Sequence, residues 1–199
     1  MRRSVRGIII LLMAALMSAC LPETRHTIVV EPLQIDPHLV GTWVRANDEM
    51  VMLLSISREE VDDRVARVAY VIVDPTADSI EVQRSILQVR LTRIGSATYF
   101  EAVPRGPDPF PYKGLAVGRF FGRLVLAGAA TLELEFPDID VLEAAIKRGE
   151  IEGRTERRDN TPVASLTSPT SELRAFLAKG VPAGDYSRFS FRKISSDPQ

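Results

Sequence analysis

The chain has 199 residues, of which 45% are hydrophobic and 26% are charged. This composition predicts one globular domain with its own core and argues against an intrinsically disordered chain. Three of the 25 basic residues lie within the first six positions, so the chain from Cys20 onward carries 22 Lys and Arg against 26 Asp and Glu. Because nucleic-acid binding needs a basic face, this excess of acidic residues argues against a nucleic-acid partner.

The sequence is poor in cysteine and histidine. Cys20 is its one cysteine, and its histidines are His26 and His38. A single cysteine excludes an intramolecular disulfide, a multi-cysteine zinc site and a CxxC redox pair. Both histidines precede the first predicted strand of the domain, and the sequence has no Gly-x-Ser-x-Gly motif. We therefore predict no catalytic residue, no metal site and no dissociable cofactor.

Residues 1–19 have the three zones of a secretory signal peptide. Basic residues near the start are followed by the apolar stretch Ile8–Met17 and then by the small residues Ser18 and Ala19, directly before Cys20. The apolar stretch is ten residues long, whereas a helix needs about 20 to span a bilayer. The pattern therefore predicts a cleaved leader rather than a permanent transmembrane anchor.

The segment Leu16–Cys20 resembles the lipobox of bacterial lipoproteins, in which a small residue precedes a cysteine that is acylated and becomes the new N-terminus. The resemblance implies diacylglycerol and a fatty acid on Cys20, and hence a membrane partner through a lipid anchor. Several acyl chains anchor stably, because each buried methylene contributes about 0.8 kcal/mol. Leu21 is not the aspartate associated with inner-membrane retention in that family. The resemblance therefore implies the outer membrane, facing the periplasm, with the inner membrane as the alternative.

The predicted globular domain covers 39–195, between a proline-containing tether over 20–38 and a short tail over 196–199. Alternating or short apolar runs of high β propensity, separated by Gly, Pro, Asn and Asp, predict its strands. These strands lie near Gly41–Arg45, Met50–Ile56, Arg64–Val73, Ser85–Ile94, Thr98–Val103, Leu115–Phe121, Arg123–Ala127, Thr131–Phe136, Ile151–Glu156 and Phe189–Ile194. Short turns, at Gly95–Ala97 and at Gly122, predict antiparallel pairing.

Two segments have helical spacing instead. Asp138–Arg148 places its apolar residues on one face. Ser168–Lys179 begins with Ser168 as a cap and Pro169 at the first helical position, and Gly180 stops it. The predicted fold class is mainly β: a strongly curved antiparallel sheet or a small β-barrel, with one or both helices covering an open end.

Gly41-Thr42-Trp43, at the start of the first predicted strand, resembles the Gly-x-Trp opening of lipocalins and lipocalin-like β-barrels. In that family the tryptophan closes the barrel floor and packs under an arginine from the last strand. The resemblance implies these barrel-closing roles for Trp43 and Arg192. The alternative is that Trp43 is a core residue whose indole N–H has a hydrogen-bond partner.

Glu133 and Glu135 alternate with apolar residues, so both carboxylates project from the same face of a strand. An acid/base pair of a hydrolase would use such carboxylates. The spacing of a calcium loop is missing, and we favour a half-buried strand with a charged outer side.

The connection over 103–112 contains four prolines and the aromatic residues Phe110 and Tyr112. Rings on a stiff surface loop lose little conformational entropy on docking, so this segment is the candidate contact loop. The alternative is a rigid link between strands.

We predict a non-enzymatic envelope lipoprotein whose β-rich domain is a binding or interaction module. The sequence does not identify its molecular partner, and an envelope protein is one candidate. The first alternative is a carrier of a small apolar ligand or lipid in a lipocalin-like cup. The second is an envelope hydrolase that uses carboxylates.

Overall fold

The fold is built from strands that pair with their neighbours in the chain. A computed structural model describes residues 22–47, 50–74, 81–105, 118–158, 161–181 and 186–194. The strands in these ranges are β1 (Glu23–Thr24), β2 (Gly41–Ala46), β3 (Val51–Arg58), β4 (Val65–Asp74), β5 (Glu81–Ile94), β6 (Ala97–Arg105), β7 (Arg119–Ala127), β8 (Thr131–Pro137), β9 (Gly153–Arg158), β10 (Thr161–Leu166) and β11 (Tyr186–Lys193). The helices are a 3₁₀ helix (Pro37–Leu39), α1 (Ile139–Lys147) and α2 (Thr170–Lys179).

Eight of these strands close into a barrel. In ring order they are β2, β3, β4, β5, β6, β7, β8 and β11, and β11 pairs again with β2. Every neighbouring pair of this ring is antiparallel. The prediction of a mainly β, antiparallel barrel with two short helices is confirmed. Closure protects the strands of the ring from pairing with other chains, because a closed barrel has no edge.

Alternate residues of the barrel strands point inward and form the main core. Leu54 and Ile56 on β3 lie opposite Tyr70 and Val68 on β4, and Val68 lies opposite Leu87 on β5. All five side chains are buried in one cluster. The period of two that predicted the strands therefore also separates the inner from the outer face. We call the end where β2, β4 and β6 begin the lower end, and the end where they finish the upper end.

The lower end is covered by the segment that leads into β2. Leu33 donates its N–H to the Leu91 carbonyl at 2.9 Å, and Ile35 donates to the Asp63 carbonyl at 3.0 Å. Ile35 is buried in the barrel core. The structure therefore corrects the tether predicted over 20–38 for its described part. Ile28, Ile35 and Leu39 of this segment are buried in the two cores instead of entering solvent.

A second core lies outside the barrel. Between β8 and β11 the chain forms α1, β9, β10 and α2, which cover the outer face of β5, β6 and β7. Leu142 of α1 and Leu173 of α2 are buried in one cluster with the outward-facing Ile94, Tyr99 and Phe121. The helices thus pack against the barrel wall and not over an open end, which corrects that part of the prediction.

Both predicted helices are confirmed, with small shifts at their starts. α2 ends where predicted, and Gly180 follows it with φ +81°, a left-handed conformation that glycine adopts at little cost. Ser168 does not cap this helix, because its hydroxyl accepts the N–H of Glu152 at 2.6 Å.

Gly122 is not the predicted turn, since β7 runs straight through it. A Cβ at this position would lie 2.7 Å from the Glu135 carbonyl oxygen and 2.8 Å from a ring carbon of Phe100. Glycine is therefore needed here for close packing between strands.

Two strands were not predicted from the sequence. β1 pairs antiparallel with β7 and parallel with β10, which pairs in turn with β9. The pairing of β1 with β10 is the one exception to antiparallel order among the described strands. It joins residues about 140 positions apart in the chain. A local turn motif therefore cannot predict this pairing.

Candidate functional site

The upper end of the barrel has inward-facing side chains that solvent still reaches. Arg45 on β2 lies opposite Met52 on β3, and Met52 lies opposite Ile72 on β4. Phe189 on β11 lies beside them, with its ring under the Arg45 guanidinium. All four are half-buried although they point toward the barrel axis. We call these four residues the mouth cluster. Solvent therefore reaches the barrel lining at this end.

Arg45 supplies the charge of the mouth cluster. Its guanidinium carbon lies 4.6 Å from the centroid of the Phe189 ring. Burial lowers the pKa of the Arg45 guanidinium from its usual value, because desolvation disfavours the charged form. Arginine nevertheless stays protonated in proteins. Among the described residues no carboxylate forms an ion pair with it, so a partly desolvated cation stands in an apolar opening.

Below the mouth cluster the lining carries two hydroxyl groups. Tyr70 on β4 and Ser85 on β5 are paired across the strands and face inward. Both are buried, with exposed fractions of 4% and 7%. The Ser85 hydroxyl has no hydrogen-bond partner within the described part of the chain. A buried hydroxyl normally has one, so this level of the barrel can accept a polar group.

One side of the opening is closed by aromatic rings. Phe100 contacts Phe136 edge to face with centroids 5.6 Å apart, and Phe136 contacts Phe189 in the same way at 5.7 Å. Phe120 extends this row beyond Phe100 at 6.5 Å. Edge-to-face contacts favour a fixed arrangement of rings. The row therefore gives the Arg45 side of the mouth a rigid apolar wall.

The residue that packs on Trp43 is Lys193 and not the predicted Arg192. Trp43 is fully buried and its indole N–H donates to the Leu39 carbonyl at 2.9 Å. Lys193 lies opposite Trp43, and its ammonium is 5.2 Å from the Trp43 ring centroid. Arg192 lies opposite Val44 and is exposed on the outer face. Because a shift of one residue reverses the face of a strand, Lys193 takes the position proposed for Arg192.

The predicted carboxylate pair is neutralised by arginines. Glu135 is 1% exposed and is bonded to Arg123 and to Arg188, the latter at 2.8 Å. Glu133 is half-buried and lies 3.7 Å from Arg188. Both carboxylates do share the outer side of β8 as predicted, but Glu135 is not solvated as expected. Arginines contact both carboxylate oxygens of Glu135, and Arg188 lies within ion-pair distance of one oxygen of Glu133.

A further buried carboxylate was not predicted. Glu101, on the outer face of β6, accepts the N–H of Ile28 at 2.8 Å and the hydroxyl of Thr27 at 3.0 Å. Arg119 lies 3.5 Å from it. These bonds hold the N-terminal segment on the barrel, so Glu101 has a structural role. In the sequence Glu101 is a single glutamate within a predicted strand, and nothing around it indicates this role.

Three predicted site residues lie outside the described residues. They are the lipidation candidate Cys20 and the contact-loop candidates Phe110 and Tyr112. Within the described ranges, no three His, Cys, Asp or Glu side chains come together as a metal site. The helices of those ranges include none with the length and apolarity needed to span a membrane.

The mouth cluster combines apolar contact area with one cation, and the Ser85 hydroxyl lies below it, so this end of the barrel lining offers both apolar and polar contacts. Sequence patterning missed Arg45, although a signal was present. Trp43 points inward, and the residue two positions later must share its face. Searches against protein-family models, curated proteins and solved structures find no match to this chain.

Proposed function

We propose that this chain is a non-enzymatic binding protein whose barrel takes a small apolar molecule that carries an anionic group. The observation that carries the proposal is Arg45, a half-buried guanidinium in an apolar opening with no ion-pair partner among the described residues. The carboxylate or phosphate of the ligand would pair with Arg45, while its apolar part contacts Met52, Ile72 and Phe189.

The energetics favour an anionic over a neutral ligand. A hydrogen bond to a charged group contributes about 1.5–3 kcal/mol, more than one between neutral groups. Burial has already removed part of the water around the Arg45 guanidinium. An anionic ligand would therefore supply hydrogen bonds that water no longer fully provides. The Ser85 hydroxyl, which has no hydrogen-bond partner among the described residues, offers a second polar contact deeper in the barrel.

The alternative of a carboxylate-dependent hydrolase has less support. Its candidates Glu133 and Glu135 lie on the outer face of β8, away from the mouth cluster, and arginines bind both. A general acid or base must reach the proton that it transfers. Glu135, which is 1% exposed, has no such access to a substrate.

The ligand proposal predicts a preference that depends on Arg45. Dodecanoate should bind the purified protein about ten- to hundredfold more tightly than dodecanol, in line with one charge-assisted hydrogen bond. Arg45→Met should remove this preference and keep the affinity for dodecanol, because the apolar lining is unchanged. Isothermal titration calorimetry of both probes measures the two affinities directly.

The matched control is Arg192→Met, which removes a guanidinium from the outer face of the adjacent strand β11. It should leave the preference intact. The proposal is abandoned if neither probe binds, or if Arg45→Met and Arg192→Met bind both probes with the same affinities.

We further propose that the chain is a lipoprotein of the outer membrane, acylated on Cys20 and facing the periplasm. The support is the sequence alone: the leader over 1–19 and the lipobox resemblance of Leu16–Cys20.

Cys20→Ser removes the acylated thiol, so the protein should leave the membrane fraction or keep its leader. Intact mass of the wild-type protein after detergent extraction should show the added acyl groups. A wild-type chain without acyl groups at Cys20 would contradict the anchor and leave the ligand proposal standing.

A further inference from the structure

The upper part of the outer face of strands β2, β3 and β4 is aliphatic. Val44 lies opposite Leu53, which lies opposite Val71, and the next row places Val51 opposite Val73. Ile86 on β5 extends the patch beside Ala69. These side chains are half-buried and belong to neither core cluster of the described residues. We call this surface the aliphatic wall, defined by Val44, Val51, Leu53, Val71, Val73 and Ile86.

The charged side chains at the described outward strand positions around the aliphatic wall have one sign. Arg84 lies opposite Val71, and Arg192 lies opposite Val44 at the other side of the patch. Arg67 and Arg90 continue the same outer face below it. All four are exposed, and their guanidinium groups form no ion pair with another described residue. The described outward positions of β2 to β5 carry no carboxylate, although the chain from Cys20 onward has more acidic than basic residues.

We propose that the aliphatic wall is the docking surface for a partner protein that presents an acidic rim around an apolar centre. Protein interfaces commonly have an apolar core, and arginine is enriched in them. Carboxylates of the partner would pair with Arg84 and Arg192 and would raise the rate of association by electrostatic attraction. A second copy of this chain does not fit, because symmetric pairing would bring arginine against arginine.

The position of the wall argues against a membrane as its occupant, a step that rests on the proposed anchor. Pro22, the first described residue, accepts the N–H of Phe121 on β7 at 3.3 Å. In the ring of eight strands β3 stands four steps from β7 in both directions, so the centre of the wall is diametrically opposite. An anchor two residues before Pro22 therefore keeps the bilayer on the β7 side and leaves the wall facing away from it.

The test uses a photo-crosslinking amino acid, p-benzoylphenylalanine, placed at Leu53 on the wall or at Val125 on the outer face of β7. Both positions are half-buried, outward-facing and aliphatic, so Val125 is the matched control. Irradiation of intact cells that express the full chain should give a protein adduct at Leu53 and not at Val125. The adduct is identified by mass spectrometry, and the captured protein is then purified for binding measurements.

The second step tests the charges. Arg84→Glu with Arg192→Glu should weaken the affinity for the purified partner at least tenfold, and the wild-type affinity should fall as salt is raised. Arg148→Glu, an exposed reversal after α1, should leave the affinity unchanged. An adduct with phospholipid or with a second copy overturns the proposal. The proposal is also overturned if Leu53 and Val125 give the same adducts. It is overturned as well if the double charge reversal leaves the affinity for the captured partner unchanged. Arg45→Met should not affect the adduct, which separates this inference from the ligand proposal.

Discussion

Trp43→Ala should lower the free energy of unfolding by about 3–5 kcal/mol, the range found when a large aromatic side chain is removed from a core. The side chain is fully buried and donates its indole N–H to the Leu39 carbonyl at 2.9 Å. The substitution therefore leaves both a cavity and a carbonyl without its partner. Urea unfolding followed by circular dichroism measures the loss.

Val61→Ala is the control for a change in an apolar side chain, because Val61 is 96% exposed. Its unfolding midpoint should not move. A loss below about 1 kcal/mol for Trp43→Ala would mean that the lower end of the barrel is not held by this residue.

The same experiment distinguishes the two candidates for the residue that packs on Trp43. Lys193→Met removes a cation 5.2 Å from the ring and a bond from its ammonium to the His38 carbonyl at 2.8 Å. Arg192→Met removes an exposed charge on the other face of the same strand. A cation–π contact contributes about 0.5–1 kcal/mol at exposed sites. Only the lysine variant should therefore lose measurable stability.

Local patterning was sufficient to predict most of the barrel. Alternating residues near Met50–Ile56 and Arg64–Val73 predicted β3 and β4. The turn at Gly95–Ala97 predicted the antiparallel pairing of β5 with β6. Helix α1 was also readable, because its apolar residues recur with a period of 3.6 and Gly149 follows it. These features depend on neighbours in the sequence.

Contacts between distant residues were not predictable in the same way. Glycine at position 122 suggests a turn. It is needed instead because Phe100 and the Glu135 carbonyl, on neighbouring strands, leave no room for a side chain. The choice between Arg192 and Lys193 depends on the register of β11 against β2, which the sequence does not state. Arg45 was missed for a different reason, because its inward position follows from local alternation once Trp43 is known to point inward.

Removing both arginines that bind Glu135 should be strongly destabilising. Arg123→Met with Arg188→Met leaves a carboxylate that is 1% exposed without either cation. Breaking a buried pair from one side typically costs about 3–5 kcal/mol, because the remaining charge is uncompensated. Urea unfolding of the double variant against wild type measures this loss.

The loss should be largely reversed when Glu135→Leu is added to the double variant. Leucine fits a buried position in a strand, and replacing a buried ion pair by apolar residues is often neutral. Glu135→Leu alone should cost less than the double variant, since Arg123 and Arg188 are 27% and 50% exposed and can turn to solvent. If the triple variant were no more stable than the double variant, the cost would lie in lost arginine packing. The two arginines would then stabilise the fold through their own packing and not by neutralising the Glu135 carboxylate.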